Sequence, residues 1–254
     1  MLADGVNNLA DVGVSIALYV GLRLAQRPPD EVHAYGHGKV EIEVSRVVSI
    51  AVLATGGGII VGALARMGDQ HPVPDRLVMV VAFFAILLKL FMYCYQNRLA
   101  RQLSSGALAA DAMNHKMDAA ATACVLVGTA AIWIGGPDWV AADDVAAVLV
   151  GALMIRASSQ SIWEATSALL DEMPPPEIVD RIRLLAEHFP KVKGVEKIVG
   201  RKMGLFYLID LHLEVDGDMP VVEAHKLGHV VKDWLMVELP EIGDIIVHVE
   251  PVGE

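Results

Sequence analysis

The sequence predicts a bundle of transmembrane helices followed by a small α+β domain, and two properties of its composition indicate this. The 254 residues are 54% hydrophobic and 20% charged, with a mean hydropathy of +0.48, which is more apolar than a typical soluble domain. The charged residues are unevenly distributed, because 25 of them fall in residues 1–165 and 26 in the remaining 89. We therefore expect a membrane domain over residues 1–165 and a soluble, acidic domain over residues 172–254.

Five apolar stretches are each long enough to cross a bilayer, which requires about 20 residues. They cover residues 2–25, 44–66, 76–97, 107–134 and 140–163. Basic side chains, which favour the cytoplasmic side of a membrane, cluster after the first and third stretches. Residues 135–144 have no basic side chain. Arg66 and Arg76, which flank the loop between the second and third stretches, reduce the difference in basic residues between the two sides of the membrane. This distribution places the C-terminal domain in the cytoplasm.

The C-terminal part begins after Pro174-Pro175-Pro176, which cannot continue a helix. Hydrophobic periodicity then predicts a helix over 177–188, strands over 194–202 and 205–215, a helix over 221–237 and a strand over 244–250. The order α-β-β-α-β is typical of a small two-layer domain. The net charge of −11 argues against a nucleic-acid partner, and two cysteines exclude a disulfide framework.

The first and fourth apolar stretches share the polar pattern Asp-x-x-Asn-x-x-x-Asp, whose offsets of three and seven residues fall on one helix face. The pattern consists of Asp4, Asn7 and Asp11 in the first stretch and of Asp111, Asn114 and Asp118 in the fourth. Each helix therefore directs two carboxylates and one carboxamide to the same side.

The depth of these side chains favours a functional role. Asp11 lies 12 residues before Arg23, and Asp118 lies 13 residues after Ser105, so each is roughly 18–20 Å from the cytoplasmic end of its helix. An unpaired carboxylate there is costly, and oxygen ligands from two helices suit a divalent cation. Hydrogen bonding between helices, or a first helix lying at the membrane interface, would explain the same residues.

Two basic side chains lie near this pattern. His115 follows Asp111 by four residues and could join a metal site from the same face. Lys89 lies within an apolar run, and we expect it to form an ion pair with a neighbouring helix.

Two further clusters carry metal-binding side chains. Asp30, His33 and His37 have short ligand spacing in a loop where glycines permit turns. The C-terminal domain contributes a second set from different predicted elements: His212, His225, His248 and Glu250. On spacing alone, a solvated loop is the better explanation of the first cluster and surface histidines are the better explanation of the second.

Together these residues resemble the cation diffusion facilitator family, whose members export divalent metal from the cytoplasm. The resemblance is carried, in family order, by residues 3–11, His33-Ala-Tyr-Gly-His-Gly-Lys39, residues 110–118 and Val247-His248-Val249-Glu250-Pro251. It implies a homodimer with six transmembrane helices and a ferredoxin-like, metallochaperone-like cytoplasmic domain. The chain opens within the family's second helix, so we expect five visible helices and no first helix.

The resemblance also implies three metal sites. The transport site corresponds to Asn7, Asp11, Asn114 and Asp118, with Asp4, Asp111 and His115 as further candidates. A loop site corresponds to Asp30, His33 and His37. A regulatory site at the dimer interface corresponds to His212, His225, His248 and Glu250, with Glu238 as a further candidate.

The expected activity is metal/proton antiport by a protein of a bilayer, which we place in the bacterial inner membrane. Asparagine at both 7 and 114 leaves an oxygen-rich site, which favours Mn²⁺ or Fe²⁺. Participation of His115 would favour Zn²⁺ or Co²⁺. The alternative is a non-transporting membrane subunit that senses metal or partners a full-length homologue. A membrane metalloprotease is disfavoured because the sequence lacks His-Glu-x-x-His.

Overall fold

The computed structural model describes residue 13 and residues 16–67, 76–135 and 140–253, and the chain divides into two units, Met1–Thr166 and Ser167–Glu254. The first unit is helical. Its helices are α1 (Ile16–Ala25), α2 (Lys39–Arg66), α3 (Arg76–Leu103), α4 (Gly106–Gly135) and α5 (Val140–Leu169). Among the described residues, three segments are long and apolar enough to cross a membrane, and they lie in α2, α3 and α5.

The predicted apolar stretches correspond to these helices, with differences at their ends. α4 matches its predicted stretch to within one residue at each end, whereas α2 begins five residues earlier and α3 and α5 continue six residues further. The added turns contain charged or polar side chains, so the apolar pattern ends before the hydrogen-bonded helix does. Of the first stretch, residues 2–12, 14 and 15 lie outside the described residues.

Two glycines bring α2 and α5 into close contact. A Cβ atom on Gly56 would lie 3.0 Å from the carbonyl oxygen of Gly151, and one on Gly151 would lie 2.8 Å from that of Gly56. A larger side chain at either position would therefore force the backbones apart. Small residues allow helices to approach in this way where lipid offers no hydrophobic driving force.

A buried carboxylate joins the beginning of α2 to the beginning of α4. Glu41 is 1% exposed. Its Oε1 accepts hydrogen bonds from Ser105 Oγ at 2.7 Å and from the backbone N–H of Ala107 at 2.8 Å. The Ser105 hydroxyl also accepts a bond from the N–H of Leu108 at 3.2 Å. Two of the N–H groups that a helix leaves unpaired at its start are thus satisfied, and the carboxylate lies at the positive end of the helix dipole.

We predict that Glu41→Ala destabilises the membrane unit by about 1–3 kcal/mol, because the first turn of α4 loses its acceptor in a buried site. Thermal unfolding in detergent measures this. Glu43→Ala is the matched control, since Glu43 lies on the same helix in a part-exposed pair with Arg46 and should change stability by less than about 1 kcal/mol. Equal unfolding temperatures for the two variants would contradict the assigned role.

The second unit contains the predicted α+β domain. Its elements are α6 (Pro176–Ala186), β1 (Gly194–Met203), β2 (Phe206–Val215), α7 (Val221–Glu238) and β3 (Ile242–Pro251). β1 and β2 are antiparallel and joined at Gly204, whose φ of 68° suits glycine. β3 pairs in parallel with the other edge of β2, so the sheet order is β1-β2-β3.

The alternation of β2 separates a face that packs on the core from a face that points away from it. Ile209, Leu211 and Leu213 are at most 1% exposed and pack with the buried side chains of α6 and α7. Successive side chains of a strand point to opposite faces of the sheet. His212 therefore lies on the face away from the core, where ligands can reach it.

Candidate metal-binding sites

The polar pattern of α4 forms a buried stripe. Asp111, Asn114 and Asp118 are 3%, 7% and 9% exposed, respectively. Asn114 and Asp118 are four residues apart, which places them on adjacent turns of the same face. Asp4, Asn7 and Asp11 lie outside the described residues, so the structure describes the α4 half of the expected transport site.

Helix α3 provides a polar partner for each α4 carboxylate. Lys89 Nζ lies 3.0 Å from Asp118 Oδ2, and Gln96 Nε2 donates to Asp111 Oδ2 at 2.8 Å. Gln96 follows Lys89 by seven residues on α3, whereas its partner Asp111 precedes Asp118 by seven residues on α4. The ion pair expected for Lys89 is therefore present, and its partner is a predicted metal ligand.

Gln96 was not identified from the sequence. The available signal was its position seven residues after Lys89, on the same face of an apolar helix. His115 Nε2 lies 3.8 Å from Asp111 Oδ2. The imidazole thus contacts the first carboxylate of the α4 pattern.

The loop before α2 brings Asp30, His33 and His37 together, with one ligand atom of each within 4.8 Å of the others. Asp30 Oδ1 accepts the N–H groups of Val32 at 3.0 Å and His33 at 2.6 Å. The bond from the His33 N–H is the main reason that the pKa of Asp30 lies below its usual value. The loop turns at Gly36, which has a φ of 82°.

The imidazoles of this loop both face the carboxylate. His33 Nδ1 lies 3.2 Å from Asp30 Oδ1, and His37 Nε2 lies 3.4 Å from Asp30 Oδ2. A carboxylate between two imidazoles offers ligand atoms that suit a divalent transition metal.

The strands of the C-terminal domain assemble a third cluster. In the parallel register of β2 and β3, His212 lies opposite His248, and Glu250 is two residues further along β3 on the same face. Glu250 Oε2 lies 3.3 Å from His212 Nδ1 and 3.7 Å from His248 Nε2. The potential ligand atoms of these three residues lie within 4.8 Å of one another.

The other predicted members of this cluster lie further away. His225 on α7 lines the same surface pocket as His248 and Glu250 but is not among the three grouped residues. Glu238 is exposed at the other end of α7, 13 residues later, which is about 20 Å along the helix.

Glu196 on β1 is a cluster residue that the sequence did not reveal. Its Oε2 lies 3.6 Å from His212 Nδ1. The register of β1 against β2 shifts between Val195 and Ile198. A bulge of this kind re-aims side chains, so simple alternation along β1 does not identify Glu196.

The two glutamates of the cluster have opposite pKa shifts. A hydrogen bond and charge repulsion from Glu250 raise the pKa of Glu196. The same hydrogen bond, together with the imidazoles of His212 and His248, lowers the pKa of Glu250. The stabilising effect of protonated Glu196 is present at low pH and is lost as the pH rises through its raised pKa. The effect of ionised Glu250 is lost as the pH falls through its lowered pKa.

In metal-free protein we predict that Glu196→Gln gains thermal stability relative to the unsubstituted chain as the pH is raised above 4.5, the ordinary glutamate value. The amide remains a donor to Glu250, whereas Glu196 loses its proton. Thermal unfolding in a chelator measures this, in a chain whose Trp133, Trp139 and Trp163 are replaced by Phe so that the fluorescence reports Trp234 in the same domain. Glu187→Gln, outside the cluster, is the control. A stability difference that stays constant with pH would contradict the assigned hydrogen bond.

Both parts of the chain match models of known protein families. Residues 1–170 match the family model of the cation efflux transmembrane domain, and residues 174–252 match that of the cation efflux cytoplasmic domain. The chain belongs to the cation efflux family. It is thus an integral membrane protein with a cytoplasmic C-terminal domain. The family model of that domain supports dimerisation through it.

Two relatives of this cation efflux protein align with its full length, and a similar solved structure covers about a third of it. Manganese efflux system protein MneP of Bacillus subtilis (strain 168) is 25% identical, over 100% of this chain and 87% of the relative. Manganese efflux system protein MneS of the same organism is 30% identical, over 100% and 86%. The metal-bound C-terminal domain of the CzcD transporter from Thermotoga maritima is 33% identical, over 31% of this chain and 91% of that structure, with a TM-score of 0.30.

Proposed function

We propose that this cation efflux protein exports a divalent metal ion from the cytoplasm in exchange for protons, using Asn7, Asp11, Asn114 and Asp118 as ligands. The observation that carries the proposal is the buried pair of Asn114 and Asp118 on one face of α4. In a membrane-spanning unit, a buried ionisable side chain of this kind marks an ion pathway.

The ligand types favour a hard metal ion. Two carboxylates and two carboxamides offer only oxygen to the metal, which suits Mn²⁺ or Fe²⁺ better than Zn²⁺. His115 contacts Asp111 at 3.8 Å, which leaves the Asn114 and Asp118 pair oxygen-only. The names of MneP and MneS, which describe manganese efflux, support the same choice.

Proton exchange follows from the properties of a carboxylate inside a membrane. Such a group is costly as a bare anion, so it holds a proton, a metal ion or a fixed cation. Protons arriving from the far side would displace the metal. Rocking of helices around a site near the bilayer midplane would then alternate its access.

We expect Asp118→Asn to lower metal flux at least tenfold, an effect of about 1.4 kcal/mol or more, because the α4 pair loses its only charge. Mn²⁺ uptake by proteoliposomes, driven by a pH gradient, measures the flux of the full chain. Glu164→Gln is the control, since Glu164 is an exposed carboxylate of α5 that contacts Gln160.

Equal flux in Asp118→Asn and the unsubstituted chain would exclude this transport site. An unsubstituted chain that carries no metal would instead favour the non-transporting subunit. The Lys89–Asp118 ion pair is the feature that such a subunit would need, because it neutralises the ligand without metal.

We also propose that His212, His248 and Glu250 bind a metal ion that tightens the dimer. Their atoms already converge on one face of the sheet, and binding that favours the dimer shifts assembly by mass action. His225, on the same pocket, would complete the coordination.

We predict that Mn²⁺ or Zn²⁺ lowers the dimer dissociation constant of the full chain in detergent about tenfold, or about 1.4 kcal/mol. Glu250→Gln should abolish this response because it removes the anionic ligand. Analytical ultracentrifugation with and without a chelator measures both. His188→Ala, at a histidine that stacks on Trp234 and not on the cluster, should respond as the unsubstituted chain does. A normal metal response in Glu250→Gln would contradict the assigned site.

A further inference from the structure

Lys89 is a cation in the middle of an apolar membrane helix. It is residue 14 of the 28 in α3, and Leu88, Leu90 and Phe91 beside it are exposed on the helix surface. A lysine at this depth is costly unless its ammonium is paired. Its Nζ lies 3.0 Å from Asp118 Oδ2, so each charge neutralises the other.

We propose that Lys89 is a tethered counter-cation of the transport site, whose ammonium holds Asp118 while the site is empty and leaves when the metal binds. The inference rests on the proposed function, because it takes Asp118 to be a metal ligand. It assigns to Lys89 a role in setting metal affinity and release rather than in anchoring the fold.

The ammonium and the metal compete for the same carboxylate. Two cations on Asp118 would repel each other at close range, and the repulsion is strong where water is excluded. Metal binding therefore includes the free energy of breaking the Lys89–Asp118 pair. Metal release regains it, because the ammonium returns to the carboxylate.

The two partners differ in their freedom to move. The side chain of Lys89 is 31% exposed and that of Asp118 is 10% exposed. Lysine is a point charge on a flexible four-carbon stem, so its ammonium can leave while the carboxylate stays in the stripe.

The rest of the α3–α4 contact holds during this exchange. Gln96 and Asp111 form a second contact seven residues away, which keeps the helices in register. Lys116 lies over the ring of Tyr93, with Nζ 5.6 Å from its centroid. Displacement of Lys89 therefore requires a change of its rotamer, without sliding of the helices.

Two substitutions at Lys89 test the proposal by moving metal affinity in opposite directions. Lys89→Gln removes the competing charge, so the Mn²⁺ dissociation constant should fall about tenfold, with a lower KM and a lower kcat for flux because release slows. Lys89→Arg offers a bidentate partner that holds a carboxylate more firmly, so the dissociation constant should rise. Both are measured by calorimetry on the full chain in nanodiscs and by proteoliposome flux.

Lys116→Gln is the matched control, because it removes a lysine from the same interface without touching Asp118, and its dissociation constant should match that of the unsubstituted chain. An unchanged or weaker affinity in Lys89→Gln would overturn the proposal, since an anchoring lysine gives that result. If Lys89→Gln does not fold, an unchanged affinity in Lys89→Arg would overturn it. Asp118→Asn distinguishes failure of the proposed function from failure of the role of Lys89. Normal metal binding and flux in Asp118→Asn would refute the proposed function. Loss of both in Asp118→Asn, with an unchanged dissociation constant in Lys89→Gln, would refute only the role of Lys89.

Discussion

A charge inside a bilayer is tolerated only when a nearby group neutralises it or donates hydrogen bonds to it, and this requirement determines how α3 and α4 pack. Apolar helices in lipid gain little from burying hydrophobic surface against each other. The Lys89–Asp118 and Gln96–Asp111 contacts, at 3.0 and 2.8 Å, therefore fix the register of the pair. A shift by one residue would rotate both carboxylates by about 100° around the helix and separate them from their partners.

The same requirement holds the beginning of α4 in place. Glu41 of α2 accepts bonds from Ser105 and Ala107 at the first turn. Two partners on α3 then hold the helix at Asp111 and Asp118. α4 is thus held by polar contacts along the segment that carries the proposed ligands, which is the support that a binding site needs from its surroundings.

The sequence predicted those features that depend on local periodicity. The apolar stretches located the helices, and the offsets of Asp111, Asn114 and Asp118 placed them on one face, as the structure shows. Gln96 and Glu196 depend on contacts between elements. The partner of Gln96 follows from the α3–α4 register, and the position of Glu196 follows from a shift in strand pairing between Val195 and Ile198. The spacing of Gln96 from Lys89 indicates a shared helix face, but neither the α3–α4 register nor the shift in β1 can be read from the sequence, so the partners of these residues required the structure.

The surroundings of Asp30, Glu250 and Asp118 explain which groups pair with each carboxylate. Asp30 is half-exposed, with two imidazoles and backbone N–H groups around it, and water can supply further hydrogen bonds. Glu250 is shared by two imidazoles and Glu196 at a surface strand. The side chain of Asp118 is only 10% exposed within the transmembrane domain, and a full positive charge from the chain itself, the Lys89 ammonium, takes the place of solvent. Burial, rather than ligand type, therefore accounts for the lysine beside Asp118 and for the histidines beside the half-exposed Asp30.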